Sequence, residues 1–122
     1  MIDYTTAQLT RLLSFALFMA AGQVLFKKVS LMIPSLDSWR AIVSLGSNVW
    51  FLVAISLYML ATFLWIDILR EIPLSKAYPF IAIGFVLVPL AGYIFFAEPL
   101  NARYFAGVAL IVAGIYLTAL TG

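Results

Sequence analysis

Neither cysteine nor histidine occurs anywhere in the 122-residue chain. Disulfides, zinc sites of the usual Cys/His type and the common Ser-His or Cys-His catalytic pairs are therefore excluded, and no metal or other cofactor is expected. Charge is scarce as well. Only 10% of residues are Asp, Glu, Lys or Arg, against about 25% in an ordinary soluble domain. Long polar stretches are also missing. The longest segment between uncharged runs is about a dozen residues, too short for a soluble domain, so one transmembrane domain over residues 1–122 is expected.

What fills the sequence is apolar: 66% of residues are hydrophobic, and so small a globule has no interior to hide them in. A bilayer removes the difficulty, because lipid tails accept Leu, Ile, Val and Phe on every side of a helix. A helix needs about 20 residues to cross a hydrocarbon core of about 30 Å. Four uncharged runs come near that length or exceed it: 12–26, which extends to about 8–28 if its ends enter the headgroup layers, then 41–66, 77–97 and 104–122. The Ala20-Ala21-Gly22 stretch has the small residues of a signal-peptidase site, but Lys27-Lys28 reads better as an anchor closing a spanning helix.

The connections are short and carry Pro34, Pro73 and Pro99. They predict an all-α, up-down-up-down bundle of four transmembrane helices. Lys and Arg number three on one side (Arg11, Arg70, Lys76) and four on the other (Lys27, Lys28, Arg40, Arg103). The positive-inside rule then gives almost no orientation, and insertion both ways round is compatible with the charges. Basic residues scattered among helix ends are interfacial anchors, so the net charge of +2 does not point to nucleic acid.

Met19, Gln23 and Lys27 recur at every fourth position and share one face of the first helix. An amide in a membrane helix marks an interhelical hydrogen bond or a polar cavity. Lys27 near the helix end either snorkels to the headgroups or offers a positive charge at lipid-phosphate depth. In the third run, Pro79 fits a first helical turn, whereas Pro89 lies mid-helix and predicts a kink. Tyr78 and Tyr93 line a cavity or belong to the aromatic belt. Ala106-Gly107 and Ala113-Gly114, with Ala109 between them, form a stripe of small residues suited to a close helix-helix seam, within one chain or between two. Glu98 stands just before Pro99 as a loop carboxylate; Asp67, Arg70 and Glu71 read as a surface cluster ending a helix.

Three ordered motifs carry a family resemblance: Ile72-Pro73-Leu74-Ser75-Lys76-Ala77-Tyr78-Pro79, then Phe96-Ala97-Glu98-Pro99-Leu100, then Gly107 through Ile115. Together they resemble the four-helix members of the drug/metabolite transporter superfamily, EamA-like or small multidrug resistance-like. Small multidrug resistance transporters carry a membrane-embedded Glu in helix 1 that binds protons and cationic drugs in turn; aligning Gly22 and Lys27 with that helix puts Met19 at the Glu position. A thioether neither exchanges protons nor neutralises a cation. Ala21-Gly22-Gln23 with Lys27, together with Ala77-Tyr78-Pro79 and Glu98-Pro99, is similar instead to flippase subunits for undecaprenyl-phosphate-linked aminoarabinose. That resemblance implies a bacterial inner-membrane protein that moves a polyprenyl-monophosphate sugar, normally as a homodimer or heterodimer of similar four-helix chains in contact with membrane lipid. Lys27, Gln23, Tyr78, Glu98 and Arg103 are the expected substrate-binding residues, and Ala106, Gly107, Ala113 and Gly114 the expected dimer interface.

An enzyme is disfavoured, because no paired catalytic residues converge at one depth. Two rivals stand beside the flippase. One is a proton-coupled exporter of small cations or metabolites, with Glu98 as its only candidate carboxylate; the other is a non-transporting assembly subunit that uses the small-residue seam.

Overall fold

A computed structural model describes residues 4–120, which form helices and short connections with no strand among them. Helix α1 spans Thr6–Met32. Its N-terminus is fixed by a capping box: the Thr5 hydroxyl accepts from the Gln8 amide and the Gln8 side-chain oxygen accepts from the Thr5 amide. It stops where Ile33, extended ahead of Pro34, leaves helical geometry. At 27 residues it is about 40 Å long and outruns the hydrocarbon core. Lys27 therefore stands more than a turn inside the helix, not at its end.

The uncharged run 41–66 does not form one span. Ser38 caps a short helix α2, Trp39–Leu45, and the chain then turns through Gly46, Ser47 and Asn48. The Asn48 side chain caps the next helix by accepting from the Phe51 amide at 3.1 Å, so the spanning helix α3, Val49–Glu71, begins at Val49 and not at Ala41. Pro73 ends it.

The third run is one apolar arm, Leu74–Phe96, with a change of pitch inside it. One turn of helix α4 (Leu74–Ala77) leads into a 3-10 segment, Tyr78–Ile83, and then into α5, Gly84–Phe96. Helix α5 continues through Pro89, so the irregular stretch lies upstream of the proline that predicted a kink. Helix α6, Ala102–Leu120, completes the described chain, with the Asn101 side chain accepting from the Tyr104 amide at 2.8 Å; residues 121 and 122 of the expected fourth span lie outside it. Among the described residues, three helices are long and apolar enough to cross a membrane by length and composition, and α6 is a shorter apolar helix.

Three side-chain links show that α1 and α3 run antiparallel. Arg11 bonds Asp67 at 2.8 Å and Glu71 at 2.5 Å at one end, Gln23 meets Tyr58 midway, and Lys28 lies 3.7 Å over the Trp50 ring at the other. The cluster expected at the end of α3 is thus partly engaged by α1. The core sits at the Arg11 end, where Leu12, Phe15, Ala61, Ile68, Ile72 and Ala77 are buried together. Phe15 stacks on Trp65 with ring centroids 4.7 Å apart.

Much apolar surface is left outside. The chain exposes 8295 Å², whereas a compact soluble protein of 13.5 kDa exposes about 6500 Å². Helix α6 contributes heavily to that excess. It leans on the 3-10 segment, and over residues 102–118 it is exposed except for Val108 and Ile115, which are half-buried.

Candidate functional site

A groove runs between α1 and the arm that holds the 3-10 segment and α5. At one end is a cavity of about 350 Å³ with Gln23, Lys27, Ser30 and Glu98 in its wall, along with Gly92 and Phe96. A second cavity, of about 300 Å³, continues from it, because Gln23 and Val88 line both. Its other walls are apolar: Phe15, Met19, Phe85 and Pro89 among them. No third helix among the described residues closes either cavity. The shared face expected for Met19, Gln23 and Lys27 is the α1 wall of this groove.

Each polar group at the groove's end has a local cause. The two lysines, about 100° apart on the helix, part company. Lys28 turns to α3 and caps the Trp50 ring, while Lys27 turns to the far end of α5 and lies 3.5 Å from Glu98. Glu98 reaches that position through a backward fold of the chain. Ala97 adopts a left-handed conformation, φ 53° and ψ 34°, and the Gly92 carbonyl accepts from the amides of both Ala97 and Glu98. For a residue with a Cβ that geometry costs about 1–2 kcal/mol. The Glu98 carboxylate then rests on Gly92, where a Cβ would collide with Oε1. Glycine at 92 makes the room.

Gln23 is held from the opposite side. Its Nε2 donates to the Tyr58 hydroxyl at 2.5 Å, and the Tyr58 ring stacks on Phe26 at 5.0 Å. The ring also covers Gly22, where any Cβ would overlap it. Gln23 thus combines both expected roles, an interhelical bond and a cavity wall. Nothing in the sequence marks Tyr58 and Gly92 for these places: their partners are distant in the chain or beyond a turn, and neither belongs to a periodic pattern.

Lys27, Gln23 and Glu98 come together. Tyr78 does not join them. It lies toward the Arg11 end, edge-on to Trp65 at 6.4 Å, in the wall of a separate cavity. Arg103 is exposed in the first turn of α6, outside the groove. At the Arg11 end the Tyr4 hydroxyl donates to the Lys76 carbonyl at 2.8 Å, and burial raises its pKa above the ordinary tyrosine value. The small residues of α6 face away from the rest of the chain, since a Cβ at Gly107 or Gly114 would meet nothing within 4 Å. The seam expected there is not used within the chain.

Apolar helices of spanning length, a surplus of exposed hydrocarbon and a groove that is polar only at one end define a multi-pass membrane protein. The family model described as "Small Multidrug Resistance protein" matches residues 42–111, and the chain belongs to that family. Among curated proteins it is 31% identical over 107 residues to the "Probable 4-amino-4-deoxy-L-arabinose-phosphoundecaprenol flippase subunit ArnE" of Hamiltonella defensa, covering 87% of this chain and 91% of the relative. Proteins of the same name from Serratia proteamaculans and Yersinia pseudotuberculosis are 44% and 41% identical over 68 residues, 56% of this chain and 59% and 60% of theirs. The family model leaves out α1, whereas the 107-residue alignment leaves too little outside it to omit Gln23 and Lys27. No solved structure matches the chain.

Proposed function

We propose that this chain is one subunit of a four-span flippase of the bacterial inner membrane, moving a polyprenyl-monophosphate-linked sugar and working as a pair of similar chains. The observation that carries the reading is the groove: cationic and hydrogen-bonding at Lys27, Gln23 and Glu98, apolar from Met19 to Phe85, and walled among the described residues by α1 on one side and the arm with its following loop on the other. A lipid phosphate must bring a charged head past hydrocarbon while its tail stays in lipid. A lateral groove of this shape serves such an amphiphile, and a closed apolar cage does not. The names of the relatives, flippase subunits for an aminoarabinose-phosphoundecaprenol, support the substrate class.

Magnitudes favour exchange at the polar end. The Lys27 and Glu98 side chains are each 44% exposed and 3.5 Å apart, and such a solvent-screened pair is worth about 0–1 kcal/mol. A pair that weak leaves Lys27 open to competition from a substrate phosphate, and a Glu98 carboxylate so freed would accept from a sugar hydroxyl or ammonium. With α6 as the fourth crossing, its exposed small-residue face is the surface offered to the second chain.

Family membership keeps one rival in view, a proton-coupled exporter of small cations. Met19 stands against it, because the apolar part of the groove holds no carboxylate. Translocation of a polyprenyl-phosphate sugar in proteoliposomes, beside uptake of a small cation driven by a pH gradient, separates the two. Cation movement without lipid translocation overturns the flippase reading.

A further inference from the structure

A third cavity lies at the other end of the molecule. It measures about 610 Å³ and is lined by Ser75, Lys76, Tyr78, Phe85, Ile115 and Thr118 among others. Ile81 and Phe85 line both this cavity and the apolar part of the groove. Since Gln23 and Val88 connect that part to the Lys27 cavity, three cavities stand in file along one arm of the chain. The file has a lysine at each end and hydrocarbon walls between.

We propose that the Lys76 cavity is a second headgroup station, which binds the phosphate of the polyprenyl lipid on the membrane face opposite Lys27. The proposal rests on the flippase reading above. Its physical ground is the route: a headgroup that leaves Lys27 along this file passes hydrocarbon walls and meets its next cation at Lys76, and a charge in an apolar surrounding is costly until it is paired again.

Lys76 fits the role better than that of a surface anchor. It is half-buried, whereas Lys27 and Lys28 are exposed. Its backbone is fixed from both sides, the amide donating to the Pro73 carbonyl at 2.9 Å and the carbonyl accepting from Tyr4. Ser75 and Tyr78 add hydroxyls to the wall, a second kind of group that phosphate oxygens accept from, whereas the Thr118 hydroxyl donates to the Ile115 carbonyl at 2.6 Å. The 3-10 segment between the stations holds its turns by the poorer i→i+3 geometry, so the wall between the cavities is the part of the arm least costly to rearrange.

The test uses a photoreactive polyprenyl monophosphate with the purified protein, in its native oligomeric form, in phosphatidylcholine vesicles; labelled peptides are mapped. Two clusters are expected, one around Lys27 and Phe96 and one around Tyr78 and Ile115. Lys76→Met should lower the second about tenfold, the loss of one charge-assisted bond, and leave the first within about twofold. Lys76→Arg should restore it. Retained labelling at Lys27 shows that the variant is folded. A single cluster at Lys27, unchanged by Lys76→Met, overturns the second station and leaves the flippase reading standing. Loss of both clusters that Arg does not restore makes Lys76 a structural residue and also overturns it. Equal displacement by excess phosphatidylglycerol reduces the cavity to general lipid anchoring and overturns the station in the same way. Labelling at neither end, or equal labelling by a neutral polyprenol, overturns the flippase reading and the station together.

Discussion

Lys27 Nζ and Glu98 Oε2 lie 3.5 Å apart, one on the first helix and the other just past the third apolar arm, and their pairing closes the polar end of the groove between α1 and α5. The proposed function turns on Lys27. With membrane expression held equal, Lys27→Ala and Lys27→Met should lower translocation of a polyprenyl-phosphate sugar by about ten- to a hundredfold, the weight of one charge-assisted bond. Lys27→Arg should retain much of it, and Gln23→Ala should cost less than either loss of charge. Equal transport by the Ala, Arg and Met variants would leave Lys27 an anchor and remove the site.

Gly22 and Tyr58 provide a test of packing. The Tyr58 ring occupies the space of a Cβ at Gly22, and it is stacked on Phe26 and bonded to Gln23. Gly22→Ala should therefore destabilise the α1/α3 pair by about 1–3 kcal/mol, as overpacking does. Tyr58→Phe keeps the ring, loses one hydrogen bond and should cost about 0.5–1.5 kcal/mol. Thermal unfolding in detergent reads both, and the reverse order would show that the ring is not held as described.

The helices were legible where composition decides, and obscure where one side chain decides. Uncharged runs located four apolar segments, and the fourfold spacing of Met19, Gln23 and Lys27 located the α1 wall of the groove. Absence of charge says nothing of caps, so the turn at Gly46 to Asn48 was hidden inside an apparently continuous run. The left-handed Ala97 was hidden too, because alanine is not a residue that advertises positive φ. Arg11 with Asp67 and Glu71, Gln23 with Tyr58, and Lys27 with Glu98 all join positions far apart in the chain. Local periodicity carries no trace of such pairs. The distance between Tyr78 and Lys27 follows from topology as well: the arm runs parallel to α1, and Tyr78 stands near its start while Lys27 stands near the end of α1.

At the Arg11 end, one guanidinium spans Asp67 and Glu71, which are four apart on α3. Arg11→Ala should lower the thermal midpoint, because it leaves two like charges facing each other at helical spacing. The loss should shrink in high salt, since the pairs are partly exposed and screened. A midpoint unmoved at low salt would show that the pairs contribute nothing.

The small residues of α6 make a separate prediction about assembly. Gly107→Leu with Gly114→Leu places two side chains where the chain itself has nothing within 4 Å. Helicity and the thermal midpoint of the single chain should therefore stay unchanged, while cross-linking and light scattering in detergent report loss of the pair. Retention of both pairing and transport would mean that the second chain packs elsewhere.

Gly92 offers a way to disturb Glu98 without touching either charge of the pair. In a helix interior, Gly→Ala ordinarily raises stability by about 1 kcal/mol. Here a Cβ would meet the Glu98 carboxylate, the end of a flexible side chain, so the cheapest relief is for Glu98 to swing off the helix and away from Lys27. Gly92→Ala should thus lower transport as Glu98→Gln does, with no loss of thermal stability. The two substitutions act on the same contact, so their combination should be no worse than either alone. Transport and unfolding measured across the four proteins of this cycle test the placement. Additive losses would show that Gly92 acts through something other than Glu98, and full activity of Gly92→Ala would show that the position of the carboxylate is immaterial to transport.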